Sequence, residues 1–279
     1  ENDQRISFRK SRKPQNRNYH HAETRRVYEI DGYRACEKLK STQKMRNPEY
    51  FRDFFISLNL KKITMSFFEE NCPEMDRYLE NHASAEPAIL KKLRKETYQK
   101  TTQPHMISGY QQGRLLAILS KMMQPKNIFE IGTFTGYATL CLAEGLSKEG
   151  KITTLDVNED LAYLPQKYFN ESEYSAQIDF RIQDAKVFLK ETNEIFDLVF
   201  IDADKENYVE YFKLIKPRLK SGSVVMFDNV LWYGKILEEN PKTKATQNIK
   251  ELNDLVAHDE DFDNLILPLR DGVNLMRKI

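Results

Sequence analysis

Residues 129–140 read FEIGTFTGYATL, with two glycines four apart after an apolar run that carries Glu130, and the next apolar run ends in Asp156. Glycine at 132 lets a backbone pass close to a ligand, and an aspartate at the tip of the following strand can accept both hydroxyls of a ribose. The spacing is E-x-G-x-x-x-G rather than G-x-G-x-x-G, which argues against the pyrophosphate cradle of a dinucleotide site. Further on, Asp184 with Ala185, then Asp202, then Asp228 with Asn229 each follow an apolar run. Ligands of open α/β sheets bind outside the carboxyl ends of the strands, so these residues are expected on one rim.

The elements that must position them are short and regular. NIFEIG (127–132), KITTLDV (151–157), QIDFRIQ (177–183), FDLVFID (196–202) and SVVMFDN (223–229) read as strands. Helical patterns such as ATLCLAEGL and YVEYFKLIKPRL lie between them, which indicates βαβ units. The last 18 residues add FDNLILPL and GVNLMRKI, split by RDG, as a tightly connected pair. The expected fold is α/β: a Rossmann-like, doubly wound, seven-stranded, mostly parallel sheet with an antiparallel edge strand and helices on both faces. Upstream, Pro73 and Pro87 each open a helical pattern, and 112–123 forms a third that Pro125 stops. The division expected is N-terminal helices over 65–124 and a cofactor-binding core over 125–279.

Of the 279 residues 40% are hydrophobic and 30% charged, with 10 Gly and 10 Pro, a globular rather than collagenous or low-complexity composition. No apolar run approaches the roughly 20 residues that span a bilayer. The net charge of +1 hides an asymmetry: residues 1–62 hold 16 Lys and Arg against 8 Asp and Glu, and the remainder 27 against 34. An acidic body argues against nucleic acid as its partner. Residues 1–64 read as a basic, mostly disordered extension, and Met65 as an alternative start of the protein. Cys36, Cys72 and Cys141 fall at no metal-ligand spacing, which suits a reduced, cytoplasmic setting, and no apolar segment of a secretory signal follows the basic N-terminus.

FIDADKENY (200–208) and FDNVLW (227–232), taken with MISGYQQG (106–113) and the glycine turn, resemble the metal-dependent O-methyltransferases typified by the caffeoyl-coenzyme A and catechol enzymes. The resemblance runs over 106–279. It implies an S-adenosylmethionine site at Ser108, Glu130, Gly132, Phe134, Asp156, Ala185 and Asp204. It implies a divalent ion, Mg²⁺ or another such as Mn²⁺ or Ca²⁺, on Asp202, Asp228 and Asn229, with Lys205 as the base and a homodimer as the assembly. Trp232, directly after the metal pair, is read as a wall for a flat phenolic substrate, and Tyr208 and Tyr233 as packing. Two features depart from the family: Ala138 replaces a serine of many relatives, and Gln112 a glutamate of the plant enzymes, which weakens the case for a coenzyme A ester. Two carboxylates and an amide oxygen are hard donors suited to such an ion, which lowers the pKa of a bound phenol for a nearby lysine to deprotonate.

The expected activity is methyl transfer to a hydroxyl of a catechol-like small molecule. An RNA methyltransferase using the basic arm is the rival within the same fold; a nicotinamide dehydrogenase lacks its third glycine, and a binding module needs no Lys205. All motif residues lie at or beyond Ser108, so a chain beginning at Met65 is expected to fold and to turn over substrate. A folded but inactive Met65–Ile279 chain in a methyl-transfer assay would assign the arm a part in the site or the assembly.

Overall fold

The computed structural model describes residues 73–279; the expectations for the basic extension lie outside the described residues. The first helix is α1 (Pro73–Asn81), and Pro87 is the N-cap of α2 (Ala88–Lys100). Leu90, Leu93 and Thr97 of α2 are spaced by three and four, so one face is buried. A 3₁₀ turn at Pro104–Met106 leads into α3 (Gly109–Met123). That helix ends where Gln124 turns left-handed and donates its N–H to Ser120 O (2.8 Å), immediately before Pro125.

From there strands and helices alternate: β1 (Asn127–Ile131), α4 (Tyr137–Ala143), β2 (Lys151–Asp156), α5 (Tyr163–Glu171), β3 (Ile178–Ile182), α6 (Ala185–Glu191), β4 (Phe196–Ile201), α7 (Tyr208–Ile215) and β5 (Leu219–Asp228). Then come α8 (Lys244–Ala257), β6 (Phe262–Leu267) and β7 (Val273–Lys278). The sheet order is β3-β2-β1-β4-β5-β7-β6. Pairing is parallel from β3 across to β5, and β7 runs antiparallel to both β5 and β6. The seven-stranded, mostly parallel sheet is the expected one, and its antiparallel strand β7 belongs to the edge pair, with β6 outermost. β7 lies there because β6 arrives by a helical crossover through α8, and the short turn after it allows only an antiparallel return.

Alternation along the central strands divides the core into two layers. Ile128, Leu198 and Phe200 face the layer that contains Leu90 and Leu93 of α2, Leu116 of α3, Leu140 of α4 and Tyr168 of α5. Phe129, Val199 and Ile201 face the opposite layer, with Leu189 of α6, Phe212 of α7 and Leu252 of α8. Burial of each such side chain contributes about 1.5–3 kcal/mol, and because both faces are covered the central strands are largely apolar, with Glu130 of β1 and Thr153 and Thr154 of β2 as buried polar exceptions. Among the described residues no helix is long and apolar enough to cross a membrane.

Strand order reverses between β1 and β4, and there the chain leaves the sheet through Gly132 and Asp202. Gly132 N donates to Leu155 O (2.9 Å) and Asp202 N to Ile131 O (2.9 Å). Gly132 has φ 101°, and a Cβ on it would stand 2.0 Å from Asp202 O. Its glycine is required by the neighbouring strand end as well as by any ligand. Gly132→Ala is expected to lower stability by about 2–5 kcal/mol, from the left-handed φ and the backbone overlap together. Chemical denaturation of the full chain checks this, and an unchanged midpoint would refute the packing argument.

Candidate functional site

Outside the carboxyl ends of β1, β2 and β4 lies a cavity of about 680 Å³ whose wall includes Gly132, Phe134, Asp156, Ala185, Asp204 and Lys205. Its size is that of a small-molecule or cofactor site. Phe134 adopts φ 47°, which aims its N–H at Asp156 Oδ2 (2.7 Å), while Asn158 N donates to Asp156 Oδ1 (2.9 Å). A carboxylate offers about four acceptor sites, so two remain for a pair of hydroxyls. Asp184 caps α6 by accepting from Lys186 N (2.7 Å), which sets Ala185 in the wall. Asp204 accepts from Tyr211 Oη (2.5 Å) and from Asn207 Nδ2.

Asp202 opens on the same cavity, and its Oδ1 accepts from Lys205 Nζ at 2.8 Å. The Lys205 side chain is only 11% exposed. Burial opposes its charge, but Tyr208 and Asp202 outweigh burial and hold the ammonium above its usual pKa. As it stands the lysine is an ion-pair partner, and it becomes a base only if Asp202 turns to another cation. The parallel register pairs Ile201 with Phe227, so Asp202 and Asp228 follow on adjacent strands. Asp228 is 2% exposed; burial first, then the charge of Asp202, pushes its carboxyl upward. Its Oδ1 accepts from Asn229 N (2.8 Å), and its carbonyl accepts from the buried Tyr208 hydroxyl (2.8 Å).

Asn229, at φ 58°, lines a different space, a depression of about 670 Å³ that also holds Ser108, His105, Tyr233 and Arg270. One strap of chain contributes to both spaces. Thr101, Thr102, Gln103 and Met106 face the cavity, whereas His105, Ile107, Ser108 and Gly109 face the depression. Asp202, Asp228 and Asn229 therefore run from one space to the other, with the buried carboxylate between them. Among the described residues no three His, Cys, Asp or Glu side chains cluster as a metal site. The fit to a hard cation rests on two crowded carboxylates, one of them desolvated, beside an amide oxygen.

Other residues singled out in the sequence fall elsewhere. Glu130 is wholly buried, lines neither space, and accepts from the hydroxyls of Thr139 (2.5 Å) and Thr154 (2.6 Å). Burial pushes its carboxyl up to about 8, and Glu130 Oε1 has no partner. Trp232 packs against the core layer under α6–α8 and lines neither space, while Tyr233, read from sequence as packing, is 64% exposed in the depression. Tyr208 packs as expected and in addition ties the ends of β4 and β5 together. Gln112, wholly buried, and Arg270 approach Asp228 from α3 and from the β6–β7 turn. A charged residue inside the RDG connection was the one available sequence signal for Arg270, and for Gln112 the signal was its departure from the family.

A profile of the O-methyltransferase family matches residues 80–279. Among curated relatives, the catechol O-methyltransferase domain-containing protein 1 of Mus musculus is 32% identical over 208 residues, covering 73% of this chain and 79% of that protein. The caffeoyl-CoA O-methyltransferase of Petroselinum crispum is 34% identical over 206 residues, covering 70% and 85%. An O-methyltransferase of Bacillus cereus, solved in complex with SAH, superposes with a TM-score of 0.69 at 26% identity, covering 74% of this chain and 97% of that one. With its family profile, its relatives and its strand-end site in agreement, the chain belongs to the O-methyltransferase family.

Proposed function

We propose that this protein transfers the methyl group of S-adenosylmethionine to a hydroxyl of a catechol-like small molecule, with a divalent cation held by Asp202, Asp228 and Asn229. The observation that carries the reading is the run of those three residues from the Asp156 cavity to the depression beyond the strap. Oxygen ligands in that position could hold an acceptor hydroxyl at the boundary of the cofactor space. A Bacillus cereus relative in complex with SAH supports the choice of cofactor, and the names of the catechol and caffeoyl-CoA relatives support the acceptor class.

The chain's own residues account for the rest. Asp156 would take the ribose hydroxyls on its two remaining acceptor sites, and Ala185 would border the adenine. The four aspartates 156, 184, 202 and 204 around the cavity favour a positively charged sulfonium over an anionic dinucleotide. A divalent ion on the three oxygens would lower the pKa of a bound phenol and satisfy the charge of Asp202. Lys205, released from its 2.8 Å ion pair and beside a cation that disfavours its charge, would lose its own proton to solvent and, as the neutral amine, accept the phenol proton. Methyl transfer needs the oxygen in line with the sulfonium at about 3–3.5 Å, so alignment supplies much of the rate.

Catechols should be methylated and matched monophenols scarcely, because a vicinal diol can occupy two positions on one ion. Chelator should abolish turnover and Mg²⁺ or Mn²⁺ restore it. Lys205→Ala should lower kcat by about 10²–10⁴-fold while S-adenosylmethionine still binds in calorimetry. Equal turnover of both phenol classes, indifferent to chelator, would defeat the metal reading. Separately, Asp156→Ala should weaken S-adenosylmethionine binding by about 1–3 kcal/mol, and tighter binding of NAD than of S-adenosylmethionine by the wild type would overturn the choice of cofactor.

A further inference from the structure

Tyr208, the first residue of α7, is wholly buried at the ends of β4 and β5. Its ring meets that of Phe227 edge-on, with 5.0 Å between centroids, and Lys205 Nζ lies 5.2 Å from its centroid. The hydroxyl has one proton to give. It lies 2.8 Å from Asp228 O and 3.4 Å from Ile201 O, so the proton goes to Asp228.

The peptide unit between Asp228 and Asn229 is planar, so its carbonyl and its N–H turn together. The carbonyl accepts from the Tyr208 hydroxyl, and on the opposite edge of the same plane the Asn229 N–H donates to Asp228 Oδ1 at 2.8 Å. The plane also sets the backbone of Asn229, which stands at φ 58°. A left-handed backbone is disfavoured for a residue with a side chain, even for asparagine, which tolerates it better than most. A half-turn of the peptide would return Asn229 to negative φ. It would also take the carbonyl from a buried hydroxyl whose other oxygen neighbour is at 3.4 Å, and turn the N–H away from the Asp228 carboxylate. The Tyr208 hydroxyl thus opposes the relaxation that the backbone of Asn229 favours.

We propose that Tyr208 is a positioning residue for the cation site: its hydroxyl holds the 228–229 peptide plane, and that plane aims the Asp228 carboxylate and the Asn229 side chain at once. The inference rests on the metal reading above for what those two side chains do, and on the hydrogen bonds alone for the held peptide. Removal of one hydroxyl should therefore loosen two ligands together.

The test uses the full-length chain as Tyr208→Phe, which keeps the ring between Phe227 and Lys205 and removes only the hydroxyl. Ile249→Val, which trims a wholly buried side chain of α8, controls for a general loss of stability. Mn²⁺ titrated alone, without cofactor or acceptor, should bind about 10-fold more weakly to Tyr208→Phe than to the wild type or to Ile249→Val, the usual size of an effect one residue removed from a metal. In metal-free, isotopically labelled wild type the Asn229 amide should exchange at least about tenfold more slowly than in an open chain. In Tyr208→Phe it should speed up at least about tenfold relative to the Gly132 amide of the same molecule, which donates to Leu155 O. Unchanged Mn²⁺ affinity, a loss matched by Ile249→Val, an unprotected Asn229 amide in the wild type, or one that keeps pace with Gly132 in the variant would overturn the proposal. A wild-type chain that binds no Mn²⁺ would overturn the metal reading, and the Asn229 amide would still decide whether Tyr208 holds the peptide.

Discussion

The approach of Gly132 to the Asp202 carbonyl is the constraint on which the site depends. β1 and β4 are neighbours whose following helices depart to opposite faces of the sheet, so their ends must separate immediately after touching. With no Cβ at 132, the turn that presents Phe134 N to Asp156 and the turn that presents Asp202 to Lys205 share one wall. A larger residue would push those turns apart, and the cofactor-facing and acid-bearing sides of the cavity with them. Position 132 thus joins two pieces of chemistry that the sequence separates by 70 residues.

Acidity in this region is arranged by depth. Asp156 and Asp204 lie in the cavity wall with hydrogen-bond donors supplied by backbone or neighbouring side chains, while Asp202 has a lysine. Asp228 is buried beyond them with only partial compensation from Gln112, Lys205 and Arg270, and its carboxyl is driven upward. Glu130, deeper still, keeps two threonine hydroxyls and no cation among its partners. The gradient runs from a carboxylate that water and ligands can reach to one that is a structural acceptor.

The sheet was legible because alternation and strand-end residues are local signals: each of the five runs read from sequence became a strand, and their polar termini lie on one rim. The exact place of the reversed strand was not, since it depends on β6 arriving past β7, a non-local choice. Within the site, residues belonging to a motif could be listed but not assigned to a space. Ser108 and Asn229 line one space and Asp202 the other, a division made by the path of the chain from α2 to α3 that no spacing encodes. Trp232 and Tyr233 exchange their expected environments because both adopt positive φ, which reverses the chain between them. Arg270 escaped notice for a related reason, and Gln112, noted only as a departure from the family, could not be paired with it: a turn 158 residues away brings the two to 3.1 Å.

The strap of residues 101–109 has one thickness and lines a space on each side. Whatever displaces it from the cavity must carry it into the depression, so one volume grows as the other shrinks. Ligands that meet at the Asp202–Asn229 boundary would therefore also feel each other through that strap. Coupling of that kind is symmetric: if a bulky guest in the depression weakens the hold on the cavity's ligand, that ligand weakens the guest's binding by the same factor.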